Sequence, residues 1–335
     1  MHRRAVFSLT IAAAIGPAAH GDTVTIASDL ASGPAYDVAG TIADFRGDVI
    51  VIERASGASK SYPADRVVKV ETDWPAAYDS AKQSLAKRAW AAAAAEINAA
   101  LREEQRVWAR RQMVADLMRC QMGLGRMPQA GDLLVALHQS DPATPAWRIA
   151  PLPWHADDRV PQAKAAEWLA DPQRPAARLL GAGWLLATAE QGSALQVLQS
   201  LTSSDAPAIR SLATAQLWRA SLTQATISQV EAWRQQIAAM PASLRSGPRH
   251  VLAQAYYRLA RYDAATLAAL EGPLAGAASR ELSARGLLLA GRATAKGGHP
   301  SEARRLWSEV RDDYADTPQR ADATNLLSQL AADRL

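Results

Sequence analysis

Six histidines, one cysteine and 33 carboxylates are the side chains through which this 335-residue chain could do acid–base, nucleophilic or metal chemistry. The densest cluster is "GHPSEARRLW" at residues 298–307, with His299, Glu302, two arginines and Trp307. A histidine and a glutamate three residues apart can share a proton or hold two sides of a metal ion. A zinc site takes three or four protein ligands, and this stretch supplies two. No His-x-x-x-His or Cys-x-x-Cys spacing occurs anywhere. "GLGRMPQAG" lacks the Lys-Ser/Thr that completes a phosphate loop, and there is no Gly-x-Ser-x-Gly elbow. Cys120 sits in "VADLMRCQMGL", an apolar helical pattern that reads as a buried small hydrophobe.

A second cluster is residues 141–161, "DPATPAWRIAPLPWHADDRVP". His155, Asp157 and Asp158 could bind a metal or ligand, with Trp147 and Trp154 as apolar walls. The same residues also suit an ordered insertion whose tryptophans pack on neighbouring helices and whose aspartates cap a helix near 161–170. The pattern favours the insertion. No cofactor and no metal are expected.

The elements that would position these groups fall into two kinds. Residues 1–21 carry Arg3 and Arg4, an apolar run too short to span a bilayer, and small residues before Asp22. That is the layout of a secretory signal peptide, so the expected location is the periplasm or the extracellular space. Its removal leaves 35 basic residues against 33 acidic, a net +2. So small an excess gives little ground for non-specific nucleic-acid binding, and no nucleic acid is expected as a partner. No transmembrane segment is expected in the mature chain. Residues 22–73 are β-branched and punctuated by Gly, Asp, Ser and Pro ("TVTIA", "YDVAGTIADF", "DVIVIE", "RVVKVET"), which predicts short strands joined by turns. Gly40–Ile42 and "SGASKSYPADRVVKV" resemble the strands of small Sm-like open barrels, which implies a β-barrel-like module.

From Trp74 onward the period is helical, with Pro-containing breaks such as "LADPQRP" and "MPASLRSGP". The predicted segments are 74–141 (first helical pairs), 142–174 (Pro-rich insertion and a short helix), 175–316 (further pairs) and 317–335 (a capping helix). A spacing recurs. A helix-closing residue at Arg88, Gly125, Ala189, Ala260 or Gly298 is followed five positions on by Ala93, Ala130, Ala194, Ala265 or Ala303. A large apolar residue stands four further on at Ile97, Leu134, Leu198 and Trp307. A degenerate pair fills residues 208–240. This spacing resembles tetratricopeptide repeats, whose alanine marks a close helix crossing and whose large residue fills the space beside it. The resemblance implies a mainly α superhelical solenoid behind the small N-terminal all-β module.

In such arrays the first helix of each pair lines a concave groove. The resemblance places Lys82, Arg119, Gln254, Tyr257, Arg258, Arg292 and Lys296 there, with Gly183, Leu186 and Ala187 as an apolar centre. The implied function is non-enzymatic: a cell-envelope scaffold that binds a protein or peptide, with an acidic segment or a chain-terminal carboxylate at the basic end. The alternatives are a glycan-acting enzyme of the cell wall, or its accessory subunit, and nucleic-acid binding by the β module.

Overall fold

Short β-branched runs in residues 22–73 do form strands, and the helical period beyond them does form helices. A computed structural model describes residues 21–29, 33–155, 159–275 and 278–332. The signal-peptide expectation thus falls almost wholly outside the described residues. The chain divides into two units, Met1–Trp74 and Pro75–Leu335.

In the first unit five strands, β1 (Asp22–Ile26), β2 (Tyr36–Phe45), β3 (Val49–Glu53), β4 (Ser59–Pro63) and β5 (Val67–Glu71), make one antiparallel sheet. Their order is β4-β3-β2-β1-β5. Alternation places Val24, Ile26, Val38, Ile42, Ile50, Ile52 and Tyr62 in its core. No β4–β5 ladder closes the sheet among the described residues. Gly40 is required where β2 passes β3, because an added Cβ would lie 2.5 Å from the Glu53 carbonyl oxygen. The buried Asp22 carboxylate accepts the Ile42 amide at 2.7 Å and the Thr72 hydroxyl, tying the end of β5 to the start of β1.

In the second unit the helices are α1 (Ala76–Ala86), α2 (Trp90–Glu103), α3 (Val107–Gly123), α4 (Met127–Ser140), α5 (Gln162–Leu169), α6 (Pro175–Leu185) and α7 (Gln191–Leu201). They continue as α8 (Pro207–Ser221), α9 (Ile227–Ala239), α10 (Ser246–Arg258), α11 (Tyr262–Leu274), α12 (Arg280–Lys296), α13 (Pro300–Asp313) and α14 (Gln319–Ala332). Successive helices pack closely on one another except for two pairs, α4–α5 and α8–α9, which meet through side chains, Trp168 over Gly131 and Trp218 stacked on Trp233. In addition α4 touches α6, α6 touches α8, α8 touches α10, α10 touches α12 and α12 touches α14, so these alternate helices form one layer. None would be stable alone at this length, and pairwise burial holds them.

Four of the turns are copies of one another. Arg88, Gly125, Ala260 and Gly298 are left-handed, with φ of 58°, 72°, 55° and 90°. At each, the amide of the next residue bonds back across the turn: Ala89 to Ser84, Arg126 to Gln121, Arg261 to Tyr256 and His299 to Thr294, at 2.8–3.0 Å. This six-to-one bond satisfies a terminal helix carbonyl in a Schellman turn. The alanines five residues on, Ala93, Ala130, Ala265 and Ala303, are all fully buried. Ala194 and Leu198 are buried too, but the turn at Ala189 has no left-handed residue. Arg88, in the first of these turns, also lies 3.8 Å from Asp316 just before α14.

The left-handed conformation costs an L-residue about 1–2 kcal/mol, and glycine gives back about 0.4–1 of that through its freer unfolded chain. Ala260→Gly is therefore expected to stabilise the protein by roughly 0.5–1 kcal/mol, read as a raised urea midpoint at unchanged slope. A lowered midpoint would contradict the turn geometry.

Large volume in the helical unit comes from tryptophan set against glycine. A Cβ added at Gly123, Gly131, Gly247 or Gly291 would fall 2.0–2.6 Å from the indole of Trp90, Trp168, Trp154 or Trp307 respectively. The glycines are thus seats for rings contributed by other segments.

Candidate binding surfaces

His299 stands at the start of α13 and is exposed, as is Glu302, whose carboxylate accepts the Ser301 hydroxyl at 2.7 Å. They belong to a repeat turn. No cluster of three or more His, Cys, Asp or Glu fit to hold a metal exists among the described residues. Asp157 and Asp158 of the second cluster lie outside the described residues. Cys120 is fully buried, and burial pushes its thiol up to about 11, so it is no nucleophile.

The seven groove candidates separate into three groups. At the N-terminal end Lys82 pairs with Asp79 at 2.7 Å, and Arg119 pairs with Asp116 at 3.2 Å. The other Asp116 oxygen accepts the Tyr78 hydroxyl at 2.7 Å, and burial raises that phenol far above its ordinary range. Both cations are held by carboxylates of their own helix. In the centre, Gln254 donates to the Trp154 carbonyl at 3.0 Å, and Arg258 donates to the Ala225 carbonyl between α8 and α9. Both bind the protein's own backbone.

The third group meets at the C-terminal end. Tyr257 of α10, Arg292 and Lys296 of α12, Trp307 of α13 and Leu326 and Leu330 of α14 line one open cleft of about 680 Å³. Arg292 and Lys296 are exposed, one helical turn apart, and neither has a carboxylate partner among the described residues. The Tyr257 ring is tilted against Tyr262, with centroids 5.8 Å apart.

The apolar centre expected at Gly183 is covered. Leu152 and Pro153 lie where a Cβ on Gly183 would meet them at 3.1 and 3.5 Å. Trp147, Leu152 and Trp154 are all buried in the main helical core. Residues 150–155 run across α6, α8 and α10. Trp184 Nε1 of α6 donates to the Pro151 carbonyl at 3.0 Å, and Gln216 Nε2 of α8 to the Pro153 carbonyl at 3.2 Å. Arg219 of α8 reaches the Pro153 carbonyl, the His155 carbonyl at 3.4 Å and the Gly183 carbonyl at 2.5 Å. Beyond the segment, Arg159 makes two bonds to Glu281 of α12, at 2.7 and 3.0 Å, and Arg285 binds the same carboxylate at 3.0 Å. Trp184, Gln216, Arg219 and Arg159 did not stand out as sequence motifs. Their partners are 33 to 122 residues away, beyond any local pattern.

His250 of α10 is buried beside this segment, and its Nδ1 has no partner among the described residues. Burial, then the charges of His155 and Arg285, hold its imidazole down to about 3.

These features define a helical-repeat protein with a small N-terminal antiparallel sheet, and no helix among the described residues is long and apolar enough to cross a membrane. No protein-family model matches the chain, and no curated protein matches it either.

Proposed function

We propose that this chain is a tetratricopeptide-like, non-enzymatic interaction protein of the cell envelope. It captures a protein or peptide at the C-terminal cleft. The observation that carries the reading is the pair Arg292 and Lys296, two exposed cations without carboxylate partners among the described residues, lining an open cleft together with Tyr257, Trp307, Leu326 and Leu330. An acidic segment or a chain-terminal carboxylate suits them, because charge-assisted hydrogen bonds to a carboxylate are the strong ones. Apolar side chains beside that carboxylate would lie on Tyr257, Leu326 and Leu330. The signal-peptide layout of residues 1–21 supports export. The strand order of the sheet, and the one-turn helix Ala64–Arg66 between β4 and β5, support the Sm-like reading of the N-terminal unit.

A fluorescein-labelled acidic peptide with a free C-terminus and an apolar last residue serves as the probe. Arg292→Glu combined with Lys296→Glu is expected to weaken its binding by about tenfold to a hundredfold, since one hydrogen bond to a charged group is worth about 1.5–3 kcal/mol. Arg258 stays in place, because it holds the Ala225 carbonyl. Binding should also fall with added salt. Equal affinity for wild type and double variant would end the proposal.

A further inference from the structure

The Pro-rich segment meets the inner helix layer as a bound peptide meets a groove. Prolines fix their own φ near −65° and push the preceding residues, here Ala150 and Leu152, toward extended conformations. Ala150 accordingly has φ −49° and ψ 135°, in the polyproline region. Such a segment is nearly set before it docks, so little conformational entropy is lost on seating it. Pro151 and Pro153 have no N–H, and the Leu152 amide is taken by the Ala150 carbonyl at 2.7 Å. Along Ala150–Pro153, what remains to be read is a row of carbonyls. Side-chain donors from three successive inner helices read that row: Trp184 on α6, Gln216 and Arg219 on α8, Gln254 on α10. Specificity comes from the rings between them. Trp154 rests where a Cβ on Gly247 would lie 2.0 Å from its indole, so Gly247 makes its seat. The fit is incomplete: the fully buried Gln216 Oε1 has no donor among the described residues. A buried acceptor left open is costly, and an occupant with a donor at that point would recover the cost.

We infer that the inner face of α6, α8 and α10 is a seat for an extended, proline-containing peptide with a tryptophan, and that the chain closes this seat with its own residues 150–155. The seat reads backbone carbonyls through neutral and cationic donors and reads the tryptophan through Gly247. It takes no part in the acidic recognition proposed above, and either can fail without the other. A partner of this chemistry gains access when the built-in segment leaves.

The test uses the full chain with two protease sites, one after Ala143 and one after residue 157. Double cutting frees residues 144–157 as a peptide. The freed peptide is expected to co-elute with the folded protein and to exchange with a fluorescein-labelled synthetic copy. The labelled copy should not bind uncut protein, and a scrambled copy should bind neither form. Gln254→Leu should weaken capture of the labelled copy by about fivefold, the loss of one neutral hydrogen bond to the Trp154 carbonyl. Unfolding on cutting, monitored by circular dichroism, would show the segment to be ordinary core and overturn the inference. So would loss of the peptide without rebinding, equal binding of the scrambled copy, or binding of the labelled copy to uncut protein.

Discussion

Trp168→Ala is expected to destabilise the protein by about 3–5 kcal/mol, the usual cost of emptying a buried tryptophan site. Trp168 of α5 is 1% exposed, and its indole N–H donates to Asp132 of α4 at 2.8 Å. The ring lies over Gly131, where a Cβ would come within 2.4 Å, so no neighbour can grow into the space. The helix it belongs to has only eight residues, too few to persist alone. It is held between α4, through this ring, and α6, where a Cβ on Gly181 would lie 2.5 Å from the Ala165 carbonyl oxygen. Emptying the ring site leaves a cavity, removes one of the two partners of Asp132 (Lys164 at 3.0 Å is the other), and loosens the short helix that bridges the insertion to the rest of the array. Urea unfolding at pH 7 measures the loss. Trp168→Phe should lose clearly less. A loss below about 1 kcal/mol for the alanine variant would mean that α5 is not part of the core.

Acid should destabilise the protein through His250. In the unfolded chain its imidazole titrates near 6.5. In the folded protein it is held to about 3, mainly by burial and then by His155 and Arg285. Between those values the unfolded state binds a proton that the folded state refuses. The stabilisation is therefore complete above pH 6.5 and is lost as pH falls below it, by about 1.4 kcal/mol per pH unit until about pH 3. At pH 4.5 the loss from this one residue is roughly 3 kcal/mol. His250→Gln, which cannot take the proton, should show a correspondingly smaller drop in unfolding free energy between pH 7 and 4.5. Burial also lowers the imidazole of His138, in wild type and variant alike, so the difference isolates His250. Identical pH dependence for both proteins would mean that His250 is solvated.

What could be read locally was read from the chain. The left-handed residues at Arg88, Gly125, Ala260 and Gly298 announce themselves by the buried alanine that follows each at a fixed distance. The capping helix, expected from 317, begins at Gln319. Arg292, Lys296 and Tyr257 share a cleft because helical periodicity and a repeated register place equivalent positions on one side. The same counting puts Gln254 and Arg258 on that groove but does not point to their partners. The Trp154 carbonyl is 100 residues from Gln254, and the Ala225 carbonyl is 33 from Arg258. No period in the sequence encodes a segment that leaves the array and crosses α6, α8 and α10. The composition of 141–161 marked it as an interruption, while its destination depends on three helices that come later in the chain.

The burial of Cys120 makes the chain its own reporter of motion. With one thiol in the sequence, a thiol-specific reagent has a single target and a single stoichiometry. That thiol is sealed inside α3 and kept protonated at neutral pH, so reaction waits for the surrounding helices to part. The labelling rate at low denaturant thus clocks the opening of the α3 region without any engineered probe. Comparing it with the global unfolding rate tells whether the first pairs of the array breathe independently of the rest.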